Sequence, residues 1–290
     1  MAEWSGIWFA KPYYIGSIPI MAFKERKQMQ RKLSVILPTI HSDKIITVYE
    51  SIKKSFSDDF EFIIVSPYPL PDNMKDKSNV LYINDWGSPM RCQQIGLIHA
   101  SGDYITRAVD DGVYLKDELS NALLKLMVDS PDNSAIILKH TETNKDVDTT
   151  HKDFQNMANP DFFNLTYHHQ TLKPYVPAHF KIMNFGIVSR ETLISIGGWN
   201  TIYETPALGE LDLSIRLQMS GINFILSDNI VVSCGWTPGT EGTHAPMHYG
   251  FEEDMKTYTK VYSNPECENF VIDLDNWKKS PEKWQRRFGN

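Results

Sequence analysis

Leu33-Ser34-Val35-Ile36-Leu37-Pro38 is a short apolar run that ends at a proline. A run of this length, rich in β-branched residues and bounded by a proline, indicates a buried strand. The apolar residues that follow between residues 45 and 56 recur every three or four positions, which predicts a helix with one buried face. Residues 60–65 read as a second strand. Strand, helix and strand in about thirty residues form a βαβ unit, which favours a parallel sheet.

Predicted strands and helices continue to alternate along the chain. Further strands are predicted at residues 80–83, 104–109, 134–138, 181–188, 222–226 and 230–234, and helices at 89–100, 115–126, 191–196, 210–219 and 251–262. Residues 141–180 are polar without a clear period, and form either a functional loop region or an insertion. The simplest architecture is one α/β domain at residues 33–262 with a mixed, mainly parallel sheet flanked by helices. An N-terminal extension (1–32) and a basic, aromatic tail (263–290) complete the chain.

Composition excludes several classes of protein. The 290 residues are 41% hydrophobic, which is ample for a core and argues against disorder over the whole chain. The formal charge of −7 gives no overall attraction to nucleic acid or anionic lipid. The 3 cysteines lie far apart, so neither a disulfide framework nor a thiolate zinc site is indicated.

The chain is expected to be cytoplasmic. No stretch approaches the roughly 18 apolar residues that suggest a membrane-spanning helix. Residues 1–23 are apolar but lack a basic leader before a compact apolar run, so no signal peptide is predicted. The three isolated cysteines fit a reducing compartment.

Four short patterns follow one another in an informative order. Neither a G-x-G-x-x-G nor a G-x-x-x-x-G-K-[ST] motif follows the first strand, so two common nucleotide-binding classes are set aside. The patterns are Pro38-Thr39, Gly87-Ser88-Pro89-Met90-Arg91, Ala100-Ser101-Gly102-Asp103-Tyr104-Ile105 leading to Asp110-Asp111, and Gly197-Gly198-Trp199 followed by Gly209-Glu210-Leu211-Asp212-Leu213-Ser214-Ile215-Arg216-Leu217.

This succession resembles the family 2-like glycosyltransferases, which are nucleotide-sugar-dependent transferases of the GT-A fold. The resemblance implies that Pro38 and Thr39 open the nucleotide site. It places Ser66 where the family usually has an acid near the nucleotide base. It also implies that Arg91 faces the nucleotide, with Cys92 in the place of the family's Asn.

The same resemblance implies a divalent cation, Mn²⁺ or Mg²⁺. The family's acidic D-x-D falls on Val109, Asp110 and Asp111, so that Asp111 is the expected metal ligand and Asp110 contacts the donor. Many relatives have a further His ligand after the last core strands. His244 is favoured for that role over His248.

The family's E-D-x-D-L stretch contains the catalytic base. Here Gly209 takes the place of the first acid and Glu210 that of the base, with Asp212 as the second carboxylate. Trp199 and Arg216 are the remaining expected substrate contacts. A Glu at a helix N-terminus is suited to take the proton of an acceptor hydroxyl, and the helix N-terminus favours its ionised form. A cation held by carboxylates after a parallel strand neutralises a departing nucleoside diphosphate.

Each site residue has a simpler explanation. An Asp-Asp-Gly sequence after a strand is often a solvated turn. Asp212 and Arg216 are one helical turn apart and, in that case, either pair on the surface or orient the helix. Arg91 is equally a solvated helix residue, and Glu210 a carboxylate at a helix start.

We therefore predict a glycosyltransferase that moves a sugar from a nucleoside diphosphate sugar to a hydroxyl, with inversion. The acceptor is open: a saccharide, a lipid-linked sugar or a hydroxylated nucleic-acid base. The departures at Val109 and Gly209 keep a catalytically inactive nucleotide-sugar-binding module as the main rival. A nucleotidyltransferase ranks third because no Gly-rich basic loop follows the first strand.

Basic residues cluster at both ends of the chain, in residues 24–32 and 277–287. Such runs are usually solvated faces. The alternative is that these groups hold a polyanionic acceptor such as a nucleic acid or a membrane carrying a lipid-linked sugar.

Overall fold

The computed structural model describes residues 33–57, 59–143, 180–235, 245–263 and 271–278. Eight strands in these ranges form one sheet. The strands are β1 (Leu33–Pro38), β2 (Glu61–Ser66), β3 (Val80–Asn84), β4 (Tyr104–Arg107), β5 (Gly112–Tyr114), β6 (Ser134–Thr143), β7 (Gly186–Ser189) and β8 (Asn223–Gly235). Their spatial order is β3-β2-β1-β4-β7-β6-β8-β5.

Helices cover both faces of this sheet. They are α1 (Ile45–Phe56), α2 (Asp72–Lys75), α3 (Pro89–His99), α4 (Glu118–Val128), α5 (Arg190–Ser195), α6 (Pro206–Met219) and α7 (Ala245–Ser263), followed by a 3-10 helix at Leu274–Lys278. The predicted α/β class with a mixed sheet flanked by helices is confirmed. None of the described helices is long and apolar enough to cross a membrane.

The first four strands form the parallel half of the sheet. β1 pairs in parallel with both β2 and β4, and β3 pairs in parallel with β2. Successive side chains of a strand point to opposite faces, and both faces of β1 are buried. Ile36 belongs to the core on one face of the sheet, while Val35 and Leu37 belong to the core on the other. The uninterrupted apolar run of β1 follows from this double burial.

The second half of the sheet differs from the sequence prediction in several boundaries. β7 runs antiparallel to β4 and β6, and it begins only at Gly186. The two strands predicted at residues 222–226 and 230–234 are one continuous strand, β8. The short strand β5 was not predicted, because the residues after Asp110-Asp111 read as a turn. It pairs antiparallel with β8.

Helix α6 begins earlier than predicted and is buried on every side. It starts at Pro206, a residue whose fixed φ suits the first helical position, rather than at residue 210. Asp254 of α7 accepts hydrogen bonds from the backbone N–H groups of Glu204 and Thr205 and from the Thr205 hydroxyl. A carboxylate from another helix thus satisfies backbone donors at the start of α6. Residues 208–217 are all buried, so any charge that this helix carries lies inside the protein.

The described part of the predicted tail packs on the core. Ile272 N–H donates to Ile196 O at 3.2 Å, and the Gln94 side chain donates to Leu274 O at 2.8 Å. Asn276 is buried and accepts a hydrogen bond from Thr201 N–H. Residues 271–278 are therefore an integral part of the folded core.

Candidate active site

The ends of β1 and β4 bring two of the predicted site residues together. The Thr39 hydroxyl donates to Asp110 Oδ2 at 2.6 Å and accepts from His41 N–H at 2.9 Å. This contact follows from the parallel pairing of β1 with β4, which places the residues after each strand at one edge of the sheet. Pro38 ends β1 beside them and is partly exposed. Ligands of open α/β sheets bind at this edge.

Asp111 lies next to Asp110 and is fixed through its backbone. Its carbonyl accepts a hydrogen bond from Gly235 N–H at 3.0 Å, at the end of β8. Both aspartates are partly exposed. The short antiparallel pairing of β5 with β8 therefore fixes the acidic turn, Asp110-Asp111, at the end of a strand. The sequence had predicted a turn here that leads straight into a helix.

The acidic turn fits a hard divalent cation in its chemistry, although it is not a complete metal site. Within the described ranges, no three His, Cys, Asp or Glu side chains are grouped as metal ligands. Asp110 Oδ1 makes no hydrogen bond to the described residues, whereas Thr39 occupies Oδ2. Mg²⁺ is typically held by one or two carboxylates plus substrate phosphates and water, a set that Asp110 and Asp111 can begin. His244 lies outside the described residues, as do the side-chain contacts of His248.

Ser66 is fully buried at the end of β2. Its hydroxyl accepts from Tyr68 N–H at 3.2 Å, and its carbonyl accepts from the Asn84 side chain at 3.3 Å. Protein groups thus occupy the polar atoms at the position where the family has an acid.

Arg91 is buried rather than solvated. Its guanidinium forms two hydrogen bonds with Asp85, from Nε at 3.0 Å and from Nη2 at 2.9 Å. The Cζ atom lies 5.4 Å from the ring centroid of Trp277. A Cβ on Gly87 would stand 2.2 Å from Arg91 Cδ, so only glycine permits this packing. Arg91 Nη1 and Trp277 Nε1 are buried and have no hydrogen-bond partner among the described residues, which leaves two donors for a ligand or a water.

Glu210 lies one turn inside α6 and not at a helix start. It is 2% exposed. Its Oε1 atom accepts from Trp199 Nε1 at 3.3 Å and lies 3.2 Å from Arg107 Nε, and the Gln93 side chain also hydrogen-bonds to the carboxylate. Burial raises the pKa of Glu210 to about 7, and the Arg107 charge is the largest influence that opposes the rise. The expectation of a readily ionised helix-start carboxylate is therefore wrong, because Glu210 lies inside the helix and its burial favours the neutral form.

A small cavity adjoins this carboxylate. Its lining includes Thr106, Arg107, Asn184, Trp199 and Glu210. Its volume is about 10 Å³, which is about the space of one water molecule. A carboxylate that borders such a space can exchange a proton with a single water molecule there.

Asp212 and Arg216 form a buried ion pair, so of the two simpler explanations the surface pair is excluded and a pair that orients the helix is not. Arg216 Nε donates to Asp212 Oδ2 at 2.7 Å, and each side chain is 2% exposed. The Tyr262 hydroxyl donates to Asp212 Oδ1 at 2.8 Å. Arg216 also donates to the carbonyls of Ile196 and Gly198. Protein groups therefore engage both carboxylate oxygens of Asp212 and all three guanidinium nitrogens of Arg216.

Gly209 accounts for one departure from the family pattern. A Cβ at this position would stand 2.0 Å from Met90 Sδ, so α3 and α6 touch where the family has an acidic side chain. A side chain at this position would therefore require Met90 to move.

Sequence reasoning missed four residues of this site. They are Asp85, Gln93, Arg107 and Trp277. Asp85, Gln93 and Arg107 belong to no motif, and Trp277 was assigned to a solvated or polyanion-binding tail. Only Arg107 could have been noticed from the sequence. It ends an apolar strand, and an arginine that is buried there needs a partner that is also buried.

The overall fold is the GT-A fold of glycosyltransferases. S. aureus TarS (1-349) in complex with UDP-GlcNAc is similar over 88% of this chain and 72% of its own, with 18% identity and a TM-score of 0.50. The same protein in complex with UDP matches 85% of this chain and 68% of its own, with 16% identity and a TM-score of 0.50. The mannosyltransferase PcManGT from Pyrobaculum calidifontis, in complex with GDP-Man and Mn²⁺, covers 90% and 73%, with 13% identity and a TM-score of 0.50. No protein-family model and no curated sequence matches the chain.

Proposed function

We propose that this chain is a glycosyltransferase that transfers a sugar from a nucleoside diphosphate sugar to a hydroxyl acceptor. One observation carries the proposal. In a GT-A fold, the buried carboxylate Glu210 contacts Arg107 of β4 at 3.2 Å, and β4 leads directly into Asp110 and Asp111. The carboxylate that we propose as the proton acceptor and the two that we propose as cation ligands are therefore on neighbouring elements.

The chemistry is one inverting displacement. The acceptor oxygen bonds to the anomeric carbon as the bond from that carbon to the diphosphate oxygen breaks, and Glu210 takes the hydroxyl proton. A pKa of about 7 suits this role, because a base works best when its pKa lies near the working pH. Asp110 and Asp111 would hold the divalent cation, Mn²⁺ or Mg²⁺, whose charge stabilises the departing diphosphate.

Two features support separate ends of a donor site. We assign Asp110 and Asp111, which follow β4, to the diphosphate, and we assign Arg91 and Trp277 to the nucleotide, because their buried Nη1 and Nε1 donors have no partner among the described residues. Asp85 neutralises the Arg91 charge at 2.9 Å, which favours an uncharged acceptor atom over a phosphate. We therefore assign Arg91 to the nucleoside rather than to the diphosphate. Asp212 and Arg216 hold α6 in place.

A binding module is the second candidate. The 2% exposure of Glu210 favours it, because a base must reach its substrate. The two candidates differ in turnover and not in donor binding.

The acceptor is proposed only by class, and the basic ends of the chain do not narrow it. Residues 24–32 and 279–287 lie outside the described residues. Lys278 is exposed and pairs with Asp275 at 2.7 Å, while Trp277 packs against Arg91. A polyanionic acceptor held by the tail stays a prediction.

The experiment measures release of free nucleoside diphosphate from a panel of UDP- and GDP-sugars with Mn²⁺ or Mg²⁺. We expect a chelator to abolish release, readdition of either cation to restore it, and Asp111→Ala to damage it more than Asp110→Ala. Asp129→Ala, at an exposed carboxylate that ends α4, is the control and should leave the rate unchanged. Full activity in chelator would overturn the cation assignment, and donor binding without turnover would identify a binding module.

A further inference from the structure

Arg107 ends β4, three residues before the acidic turn, and its guanidinium is held from several sides. It is 8% exposed. Nε donates to Asn184 O at 2.6 Å and lies 3.2 Å from Glu210 Oε1. The Cζ atom lies 4.6 Å from the ring centroid of Phe185, so the guanidinium also lies over an aromatic face. The position of this cation is therefore fixed by the residues just before β7 and not by Glu210 alone.

The Glu210 carboxylate faces three donors from three different segments. These are Arg107 of β4, Trp199 of the loop before α6, and Gln93 of α3. Trp199 and Gln93 are neutral, so they orient the carboxylate without supplying a charge. A fully buried carboxyl without a nearby cation has its pKa raised by up to about 3 to 5 units. The pKa of Glu210 reaches about 7, with the Arg107 charge opposing the effect of burial.

The other charged groups around Glu210 cannot replace Arg107. Arg216, on the same helix, has its charge compensated by Asp212 at 2.7 Å. His140 of β6 packs against Phe185, and burial together with the Arg107 charge lowers the pKa of His140 to about 4, so His140 is neutral at pH 7. Among the described residues, Arg107 is the one cation in direct contact with Glu210.

We propose that Arg107 is a positioning residue whose charge favours the ionised form of the Glu210 carboxylate beside the cavity and thereby sets the pH range of sugar transfer. This inference rests on the proposed function in one respect, because it takes Glu210 as the base. The step itself is unchanged: the acceptor proton moves to Glu210 while the glycosidic bond to the diphosphate breaks. Arg107 keeps its proton throughout, and its charge stabilises the ionised form of Glu210 before the transfer.

The first test is the pH profile of kcat/KM for donor turnover in the intact chain. Arg107→Gln should move the acid limb of the profile to higher pH by about 1 to 3 units, the range by which a nearby cation lowers a carboxyl pKa. Arg107→Lys retains a charge and should give a smaller shift. Lys125→Gln removes a charge from a surface pair with Asp228 and should leave the profile in place.

A residue that merely supports the fold would act differently. Its loss would lower the rate by a similar factor at every pH and leave the limb unmoved, and that result overturns the proposal. If Arg107→Gln does not fold, Arg107→Met, which also removes the charge, takes its place. A limb in Arg107→Lys that moves as far as in the charge-removing variant would also overturn the proposal, because the charge is then retained without effect.

The second test needs no turnover. The carboxyl ¹³C resonance of Glu210, assigned by its loss in Glu210→Gln, is titrated by NMR in the chain without donor. We expect a midpoint near pH 7 in wild type and a higher one in Arg107→Gln, which removes the charge. Equal midpoints would overturn the proposal. If the Arg107 variant shifts the Glu210 midpoint but the wild-type chain turns over no donor, the coupling between Arg107 and Glu210 holds and the proposed transferase activity fails. The two proposals can therefore fail independently.

Discussion

Glu210 and Asp212 lie two residues apart on one helix, and each is almost fully buried and paired with an arginine. Their surroundings nevertheless differ. Asp212 has its arginine on its own helix at 2.7 Å, and Tyr262 binds its second oxygen. Glu210 has a longer contact of 3.2 Å to an arginine on β4, and it borders a cavity. Two carboxylates that are almost neighbours in sequence therefore differ in what they can do. Protein groups hydrogen-bond to both oxygens of Asp212, whereas Glu210 borders a space in which it can exchange a proton.

The comparison shows what distinguishes a structural charge from a reactive one. A buried ion pair with all its hydrogen bonds satisfied holds elements together, and removal of one partner leaves an uncompensated charge. A buried carboxylate whose pKa lies near 7 changes charge at little cost in free energy. The four predictions below test this difference, in order of the expected effect.

Glu210→Gln should leave the chain folded and lower turnover by about 10²- to 10⁴-fold, the range typical of a lost general base. Gln resembles the protonated form of Glu210, which at pH 7 is about as populated as the ionised form. Donor binding, measured by calorimetry, should stay within a few-fold of wild type. A near-normal rate would remove Glu210 from the reaction.

Asp212→Asn should lower the stability of the fold and leave turnover almost unchanged, which is the reverse of the result expected for Glu210→Gln. We expect a loss of about 3 to 5 kcal/mol in the free energy of unfolding, because Arg216 remains buried without its counter-charge. The double variant Asp212→Asn/Arg216→Met should lose less than Asp212→Asn alone. Urea unfolding measures both, and donor turnover per folded molecule should stay within a few-fold of wild type. A loss of turnover comparable to that of Glu210→Gln, in folded protein, would make Asp212 the reactive carboxylate.

Sequence alone predicted the parallel half of the fold well and the inside of the site poorly. The strand at Leu33–Pro38 and the helix at Ile45–Phe56 are fixed by local periodicity, which sequence displays directly. Asp110 and Thr39 could be placed at one edge because parallel pairing brings strand ends together. The start of α6 at Pro206 was missed because its N-terminal partner, Asp254, is distant in the chain.

Burial is what the sequence could not show. Asp212 and Arg216 have the i, i+4 spacing of an exposed pair, and nothing local reveals that α7 covers them. Arg107 carries no motif, and its partner lies on a helix a hundred residues later. Tertiary packing thus determines which arginine faces which carboxylate. Such pairs cannot be recognised in the sequence until the whole fold is known.

Stability should depend on pH through Glu210. The folded pKa of about 7 lies above the ordinary value of 4.5, so the folded state binds more protons between these values. Its contribution is therefore fully present below pH 4.5 and declines as pH rises through 7. At about 1.4 kcal/mol per pKa unit, the loss reaches about 3 kcal/mol. Thermal or urea unfolding from pH 4 to pH 8 measures it, and Glu210→Gln should remove this component from the profile. An unchanged profile in Glu210→Gln would mean that the carboxyl titrates normally.

The smallest effect tests the Asp212 network with two tyrosines that undergo the same chemical change. Tyr262→Phe removes the hydroxyl that donates to Asp212 Oδ1 at 2.8 Å, and a hydrogen bond to a charged group contributes about 1.5 to 3 kcal/mol. Tyr203 is equally buried, yet its hydroxyl has no hydrogen-bond partner in the described ranges, so Tyr203→Phe should be neutral or slightly stabilising.

Urea unfolding of both tyrosine variants against wild type gives the two free energies. If the network around Asp212 is structural, Tyr262→Phe loses stability, Tyr203→Phe does not, and both turn over donor at the wild-type rate per folded molecule. A Tyr262→Phe variant with unchanged stability and a reduced rate would reverse the assignment, because Tyr262 would then act on a reactive Asp212 and not on the fold.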